Sequence, residues 1–507
     1  MLSAQDNVEY LGQIQYDVRA SDIWGYTDSL GNEYALIGLL NGTSIVDISD
    51  PSSPIEVAFV EGPESIWRDI KTWDSYAYIS NETDSGVQII NLANLPASVD
   101  SKFYKQDDLK TSHNLWIDEQ GFLYVIGSNL NGGGVVFVDL NADPWNPNSV
   151  GEYSVTYCHD VFVRGDTMYT AELYEGRFGI VNVADKSDPI VLATNPTPSA
   201  FTHNIWPSDD GKFVFTTDEV SGAYVAAYDI SDFTDIKEVD RYRSSPGSGV
   251  IPHNTHFKNN FLITSYYRDG VTIVDATKPD NLIQTGYYDT SPFPAQGFFN
   301  GCWGAYPFLN SGLLLASDIE EGLFILQPTY KRAAYLEGSV VNDADGTLLN
   351  STLIEILTTS DNTYTDFVGN FKTGTAEDGV YDIRISKPGC ITNIYSGIEL
   401  LSAETITLNA SLTCTATATI SVIPDLFQLH IFPTVSASTF SIDYSLPSDL
   451  NNAMLVIYNL QGIAVERISL MKNQDVFQHT FNAASGFYFA RIIAGNYSSN
   501  NLPIVII

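Results

Sequence analysis

Cations are what this sequence lacks most. Its 24 Lys and Arg stand against 61 Asp and Glu, a formal net charge of −37, and a phosphate backbone is bound by cations that displace its counterions. Nucleic acid is therefore excluded as a partner. The acidic residues form no long run, so they read as a dispersed, solvated surface rather than a binding patch. There is no uninterrupted apolar stretch of about 18 residues, the length that a membrane-crossing helix needs. No serine stands in a G-x-S-x-G setting, and the glycine cluster Asn131-Gly132-Gly133-Gly134 lacks the Lys-Ser/Thr of a phosphate loop and reads as a hairpin turn. Cysteines number only four, Cys158, Cys302, Cys390 and Cys414, a count compatible with an oxidising compartment. The opening MLSAQDN, small residues followed by Gln, reads as the remnant of a cleaved signal sequence, so an exported protein is expected.

What the chain has instead is repetition. A β-branched run ending in an acidic or amide residue and a Pro-marked turn occurs as SIVDISDPSSP at Asp47, VQIINLANLP at Asn91, VVFVDLNADP at Asp139 and GIVNVADKSDP at Asn182. It returns as VAAYDISD at Asp229 and VTIVDATKP at Asp275, with a degenerate copy, LFILQP, at Leu326. The copies are spaced by about 43 to 51 residues, and a period of short strands in the forties is that of propeller blades. Each copy is preceded by a pair of strands rich in β-branched and aromatic residues, such as SIWRDIKTW and SYAYIS. One such four-stranded unit buries little apolar surface alone, so the units are expected to stack in a ring. Seven copies predict an all-β, seven-bladed propeller over residues 1–330. Nothing after Leu326 matches the outer strand of the other units, whereas residues 8–16, VEYLGQIQY, do. The N-terminal strand is thus predicted to complete the last blade.

The repeat stops near residue 330. Residues 335–412 alternate strands with Asp-Gly turns and fit a small β-sandwich, expected over 331–414. Their pattern, G-x-V-x-D-x-x-G-x-x-L and D-x-x-G-x-F followed by G-x-Y, resembles the carboxypeptidase regulatory-like domain with its transthyretin-like fold. Cys390 and Cys414 bracket its last part and are expected to form a disulfide. The stretch Asp343-Ala344-Asp345-Gly346 offers a possible calcium loop, but no EF-hand Glu follows and an Asp-Gly turn accounts for it. A Thr-, Ala- and Ser-rich linker over 415–425 leads to a second small sandwich at 426–507. There the segments LHIFPTVSASTFSIDYSL, AMLVIYNLQGIAVERISL and ASGFYFARIIAG resemble, in order, the C-terminal sorting domain of the type IX secretion system of Bacteroidetes. The second Pro of the usual opening is absent, and the chain ends in LPIVII rather than a basic-spaced tail. This resemblance implies the type IX machinery as a partner and a secreted or cell-surface location.

The propeller sequence itself, in GTSIVDISDPSSP, SIWRDIKTWDSYAYISNE, SHNLWIDEQGFLYVIGSN, HDVFVRGDTMYTA and GCWGAYPFLNSGLLLASDIEEGLFIL, resembles the choice-of-anchor B family of LVIVD-type repeats. That family implies an exported surface protein and assigns no chemistry.

Candidate chemistry gathers in one register of the repeat. His113, His159, His203 and His253 each open the first strand of their unit, followed by Asn114, Asp160, Asn204 and Asn254. Asp22, Arg68, Asp69 and Trp303 hold the same register in the other units. In a propeller, first strands line the central channel, so these residues are expected around one mouth. Two readings stand. In one, the His-Asx pairs bond neighbouring blades and serve the repeat. In the other, the imidazoles, with Asp69 and Asp160, hold a transition metal such as zinc, copper or iron. His256, three residues beyond His253, is expected to pack rather than ligate, and Cys158 and Cys302 to be buried free thiols. Trp24, Trp67, Trp116, Trp206 and Trp303 are placed near the mouth, for stacking on sugars or for blade packing. The first functional expectation is a binding protein that offers its rim or mouth to an extracellular protein or glycan. The alternative is a metal-dependent oxidoreductase or hydrolase built on the histidines.

Overall fold

The computed structural model describes residues 5–414, 421–422, 427–446, 453–460, 462–470, 476–481, 483–494 and 497–507. Most of the linker expected at 415–425 lies outside them, as do residues 1–4. Two compact units are present, Met1–Lys331 and Arg332–Ile507. Among the described residues the only helical pieces are three single 3-10 turns, and none is long and apolar enough to cross a membrane.

The first unit consists of seven small antiparallel sheets. Sheet 1 runs through Ala20–Thr27, Glu33–Leu39, Gly42–Asp47 and Ile55–Glu61, and each later copy of the repeat supplies another sheet with its strands in the same sequential order. The first strands are Ile70–Trp73, Asn114–Ile117, Asp160–Arg164, Thr202–Pro207, Thr255–Lys258 and Cys302–Tyr306 in sheets 2 to 7. The repeat motif itself forms the third strand: Gly42–Asp47 in sheet 1 and Val271–Asp275 in sheet 6 are almost wholly buried. Each closing Asp or Asn then caps its turn, as Asp47 Oδ1 does by accepting the Ser49 amide at 2.8 Å.

The apolar cores lie between sheets rather than within them. One cluster joins Leu36 and Ile45 of sheet 1 to Ile79 and Ile90 of sheet 2. Another joins Leu315 and Ile325 of sheet 7 back to Ile23 and Ile37 of sheet 1. Burial of both faces of a sheet explains why its central strands read as continuous apolar runs.

The N-terminal segment spans two sheets. Val8–Ile14 pairs antiparallel with Gly322–Pro328 on the outer edge of sheet 7, so that sheet contains the start and the end of the unit. Before it, Gln5 and Asp6 pair with Tyr288 and Tyr287 on the outer edge of sheet 6. Asn7, at φ 53°, turns the chain between them.

The second unit begins with a three-stranded and a four-stranded sheet that share one core, including Leu336, Ile354, Ile383 and Leu412. Cys390 and Cys414 are disulfide-bonded. The Asp343–Gly346 loop spends its polar groups locally: Asp345 Oδ1 accepts the Thr347 amide and Asp343 Oδ2 the Thr413 hydroxyl. A second pair of sheets, seven- and three-stranded among the described residues, encloses a separate core around Ile442, Leu455, Ile457 and Ile492.

Candidate functional site

The first strands of sheets 1 to 6 are neighbours in turn, and Cys302–Tyr306 of sheet 7 lies beside Ala20–Thr27. Residues at the same register therefore meet, and successive positions along each strand occupy three levels.

At the first level stands an arc of rings. The centroids of His113 and His159 are 4.2 Å apart, those of His159 and His203 4.0 Å, and those of His203 and His253 4.5 Å. Trp67 flanks His113 at 6.3 Å and Trp303 flanks His253 at 5.0 Å. The arc, with Arg19, Glu219, Tyr267 and Phe299, lines a cavity of about 250 Å³.

The second level is the seam. Asp22 Oδ2 accepts the Ile70 amide of the next sheet at 3.3 Å, Asp69 Oδ2 the Leu115 amide at 2.8 Å, and Asn204 Oδ1 the Thr255 amide at 3.0 Å. Asp160 Oδ2 accepts from Asn204 Nδ2 at 2.6 Å, whereas Asn114 Oδ1 caps its own sheet's Leu115 amide. Asp69 is also bound by Lys71 at 2.6 Å. Burial, aided by the neighbouring Asp69 charge, pushes the Asp22 carboxyl well up, and burial raises Asp160 to about 7. Asp69 and Asp160 thus spend carboxylate oxygens on the seam; Asp69 also lines a small cavity with the four histidines, and neither carboxylate groups with the imidazoles at metal-ligand spacing. The Arg68 guanidinium is buried, with Nε donating to the Leu39 carbonyl at 2.7 Å, Nη2 to that of Pro63 and Nη1 without a hydrogen-bond partner, and it lines a small cavity together with the four histidines.

At the third level lies a smaller polar cavity lined by Trp24, Trp116, Trp206, Lys71 and His256. Trp116 packs on Phe162 at 4.6 Å and Trp206 on His256 at 4.7 Å, so of the five tryptophans only Trp67 and Trp303 line the mouth. His256 is buried between Trp206 and Phe308. Cys158 and Cys302 are buried free thiols.

The orientation of the imidazoles follows from their outer nitrogen. His159 Nδ1 faces the His203 carbonyl at 3.1 Å, and His253 Nδ1 faces the Trp303 carbonyl. A carbonyl only accepts, so both Nδ1 atoms carry the proton and both Nε2 atoms are left with a lone pair. His203 Nδ1 is buried without a hydrogen-bond partner. His113 Nδ1 meets Glu82 Oε1 at 2.5 Å. Burial holds His159 and His203 well below the ordinary imidazole range and His253 at about 3, so these three are neutral.

The residue that sequence reasoning missed is Glu219. Its Oε2 lies 3.6 Å from His203 Nε2 and its Oε1 3.8 Å from His253 Nε2, while Tyr267 Oη donates to Oε1 at 2.6 Å. Burial raises this carboxyl to about 7 against the Tyr267 hydrogen bond. It stands just past the second strand, Phe213–Asp218; Glu82 and Glu320 also follow the second strands of their own sheets, and Glu172 ends that of sheet 4. That recurring acid was the signal available in the sequence. Only in sheet 5 does it face two imidazoles, since Glu172 takes Arg177 and Glu320 takes Asn300.

An LVIVD repeat model matches residues 20–61, the whole of sheet 1, and supports the repeat-type propeller family. No curated protein matches the chain.

Proposed function

We propose that this chain is an exported binding protein whose mouth of histidines and tryptophans is the recognition site. In this reading the seven sheets are blades of one propeller closed by the N-terminal strand. On the same reading the second unit is a carboxypeptidase regulatory-like sandwich at 331–414 and a type IX sorting domain at 426–507, and the propeller works outside the cell. One observation carries the assignment: Trp67, Trp303 and Phe299 stand around a cavity of about 250 Å³ that also holds Arg19 and Glu219. Aromatic faces beside polar groups suit a sugar ring or an exposed side chain of a protein partner. A glycan array probed with the full chain and with Trp67→Ala and Trp303→Ala tests it. Hits that weaken at least tenfold in both variants are expected. An array, and a matching panel of extracellular proteins, on which neither substitution changes any signal would overturn the assignment.

The alternative, a metal-dependent oxidoreductase or hydrolase, draws on a different observation, the Glu219 carboxylate between two imidazole Nε2 atoms. A tested panel of ester and peptide substrates showing no turnover with added zinc would remove the hydrolase.

A further inference from the structure

The arc of four histidines is not uniform in what it offers a cation. Nε2 of His203, Nε2 of His253 and a Glu219 oxygen all lie within 4.8 Å of one another, and no other His, Cys, Asp or Glu group among the described residues meets that condition. His203 Nε2 stands 3.6 Å from Glu219 Oε2, and His253 Nε2 stands 3.8 Å from Glu219 Oε1. The ligand atoms of a tetrahedral zinc ion, with bonds of about 2.0–2.1 Å, stand about 3.3–3.4 Å apart. Gathering three ligand atoms that lie within 4.8 Å of one another to that spacing takes a closure of up to about 1.5 Å, a movement for side-chain torsions.

Two of the three groups have the supporting contacts of a metal ligand, and His203 Nδ1 has no hydrogen-bond partner. An imidazole that binds through Nε2 is usually held by a hydrogen bond from Nδ1 to a carbonyl or carboxylate, and a ligating carboxylate by a donor of its own. His253 meets the Trp303 carbonyl through Nδ1, and Glu219 receives the Tyr267 hydroxyl. The side chains of His203 and His253 are only 4% exposed and that of Glu219 15%, so a bound ion would be screened from bulk water on the protein side. On the other side lies the mouth cavity. Two neutral imidazoles and one carboxylate are a borderline-soft set of net charge −1, suited to zinc and unlike the all-oxygen cages of calcium or magnesium.

We infer that the mouth is a three-ligand zinc site, formed by His203, His253 and Glu219, with its fourth position open to the cavity. Tyr267 is a positioning residue that fixes the carboxylate, and His159 borders the site beside His203. The site rests on the same mouth assigned above to recognition, and an ion with an open position there would add an anchor for an oxygen donor of the ligand.

Isothermal titration of the chelator-treated full chain with zinc chloride at pH 7.5 tests this. One ion per chain bound below about 1 µM is expected, a dissociation constant raised at least tenfold in Glu219→Gln, and no binding at that site in His203→Ala or His253→Ala. Tyr267→Phe should weaken binding several-fold. His430→Ala and His479→Ala, in the second unit, should change nothing. Because the two ring histidines are packed in the arc, the near-isosteric Glu219→Gln is decisive, checked by an unchanged tryptophan-fluorescence melt. Cobalt substitution should give the intense visible bands of a four-coordinate site, and acetohydroxamate should shift them by filling the open position. No zinc bound by the full chain, a Glu219→Gln constant equal to wild type, or loss of the ion in the His430 or His479 variants would each overturn the site. Zinc binding lost while array hits persist refutes the metal site alone; zinc bound with no array or protein hit refutes recognition alone.

Discussion

Removing residues 1–18 should strip the first unit of a large share of its stability. Val8 is 3% exposed and packs into the core between sheets 6 and 7. Leu11, Ile14, Tyr16 and Val18 are partly buried against the core between sheets 7 and 1. At about 1.5–3 kcal/mol for a fully buried aliphatic side chain, and less for the partly buried ones, the set is worth on the order of 5 kcal/mol. The deletion also unpairs the outer edge of Gly322–Pro328, but those backbone groups regain water and add little net cost. Set against a typical net stability of about 5–15 kcal/mol, the loss is severe, and at about 2 °C per kcal/mol for a unit of this size it lowers the midpoint by about 10 °C. All seven tryptophans lie in this unit, so tryptophan fluorescence during a thermal scan reports it selectively. The bared edge strand should also promote association, visible by size-exclusion chromatography. A point variant asks the same question without shortening the chain. A Cβ on Gly12 would stand 2.1 Å from the Pro51 carbonyl oxygen of sheet 1, so Gly12→Ala forces the strand away and should lower the midpoint by several degrees. If both proteins melted with the wild type, the N-terminal strand would be an ornament on sheet 7 and the closure wrong.

Three further outcomes follow from the seam, the cores and the second unit. Lys71→Met leaves Asp69 and Asp22 buried without their cation, and urea unfolding followed by tryptophan fluorescence should show a loss of about 3–5 kcal/mol; a neutral result would show the pair to be replaceable. Burial raises Asp318 to about 7, against hydrogen bonds from Thr290 and the Glu320 and Glu321 amides. Its folded state holds the proton more tightly than the unfolded one, so its contribution is complete below about pH 4 and is lost as the pH rises to about 7, at up to about 1.4 kcal/mol per pH unit. Asp318→Asn should therefore make stability fall less steeply than wild type between pH 5 and 7, and an identical slope would refute the shift. Reducing the Cys390–Cys414 bond, which closes a loop of 24 residues' separation, should cost the second unit about 2–4 kcal/mol and leave the tryptophan-reported transition in place. A coincident drop of both would contradict independent units.

The repeat was legible because its strands and turns are local: a β-branched run and a capping Asp state a strand and its end wherever they occur, and Asp47 and Asp275 do so 228 residues apart. The histidine register was legible for the same reason, since equal positions in equal units come together. What each residue does at its level was not. Asp160 and Asn204 follow the histidines identically, yet whether such an Asx faces a metal or the next sheet's amide depends on the offset between first strands, which no single unit encodes. Arg68 reads as a residue of the mouth, and the Leu39 and Pro63 carbonyls that hold its guanidinium are no part of that pattern. Glu219 belongs to another strand from the histidines it faces, and its three counterparts are spent on other partners. The pairing of Gln5 and Asp6 with sheet 6 is likewise a two-residue event without pattern to announce it.

The crossing of the N-terminal segment over sheets 6 and 7 also sets an order of events. Val8 pairs with Pro328, a separation spanning nearly the whole unit, and loop-closure entropy makes such a contact slow to form. Sheets 1 to 5 are complete from contiguous sequence, whereas the first residues of the unit have no partner until its last strands exist. On the proposed reading of the seven sheets as one ring, its closure comes late, and the mouth, whose arc reaches Trp303 in sheet 7, takes its final shape only with it.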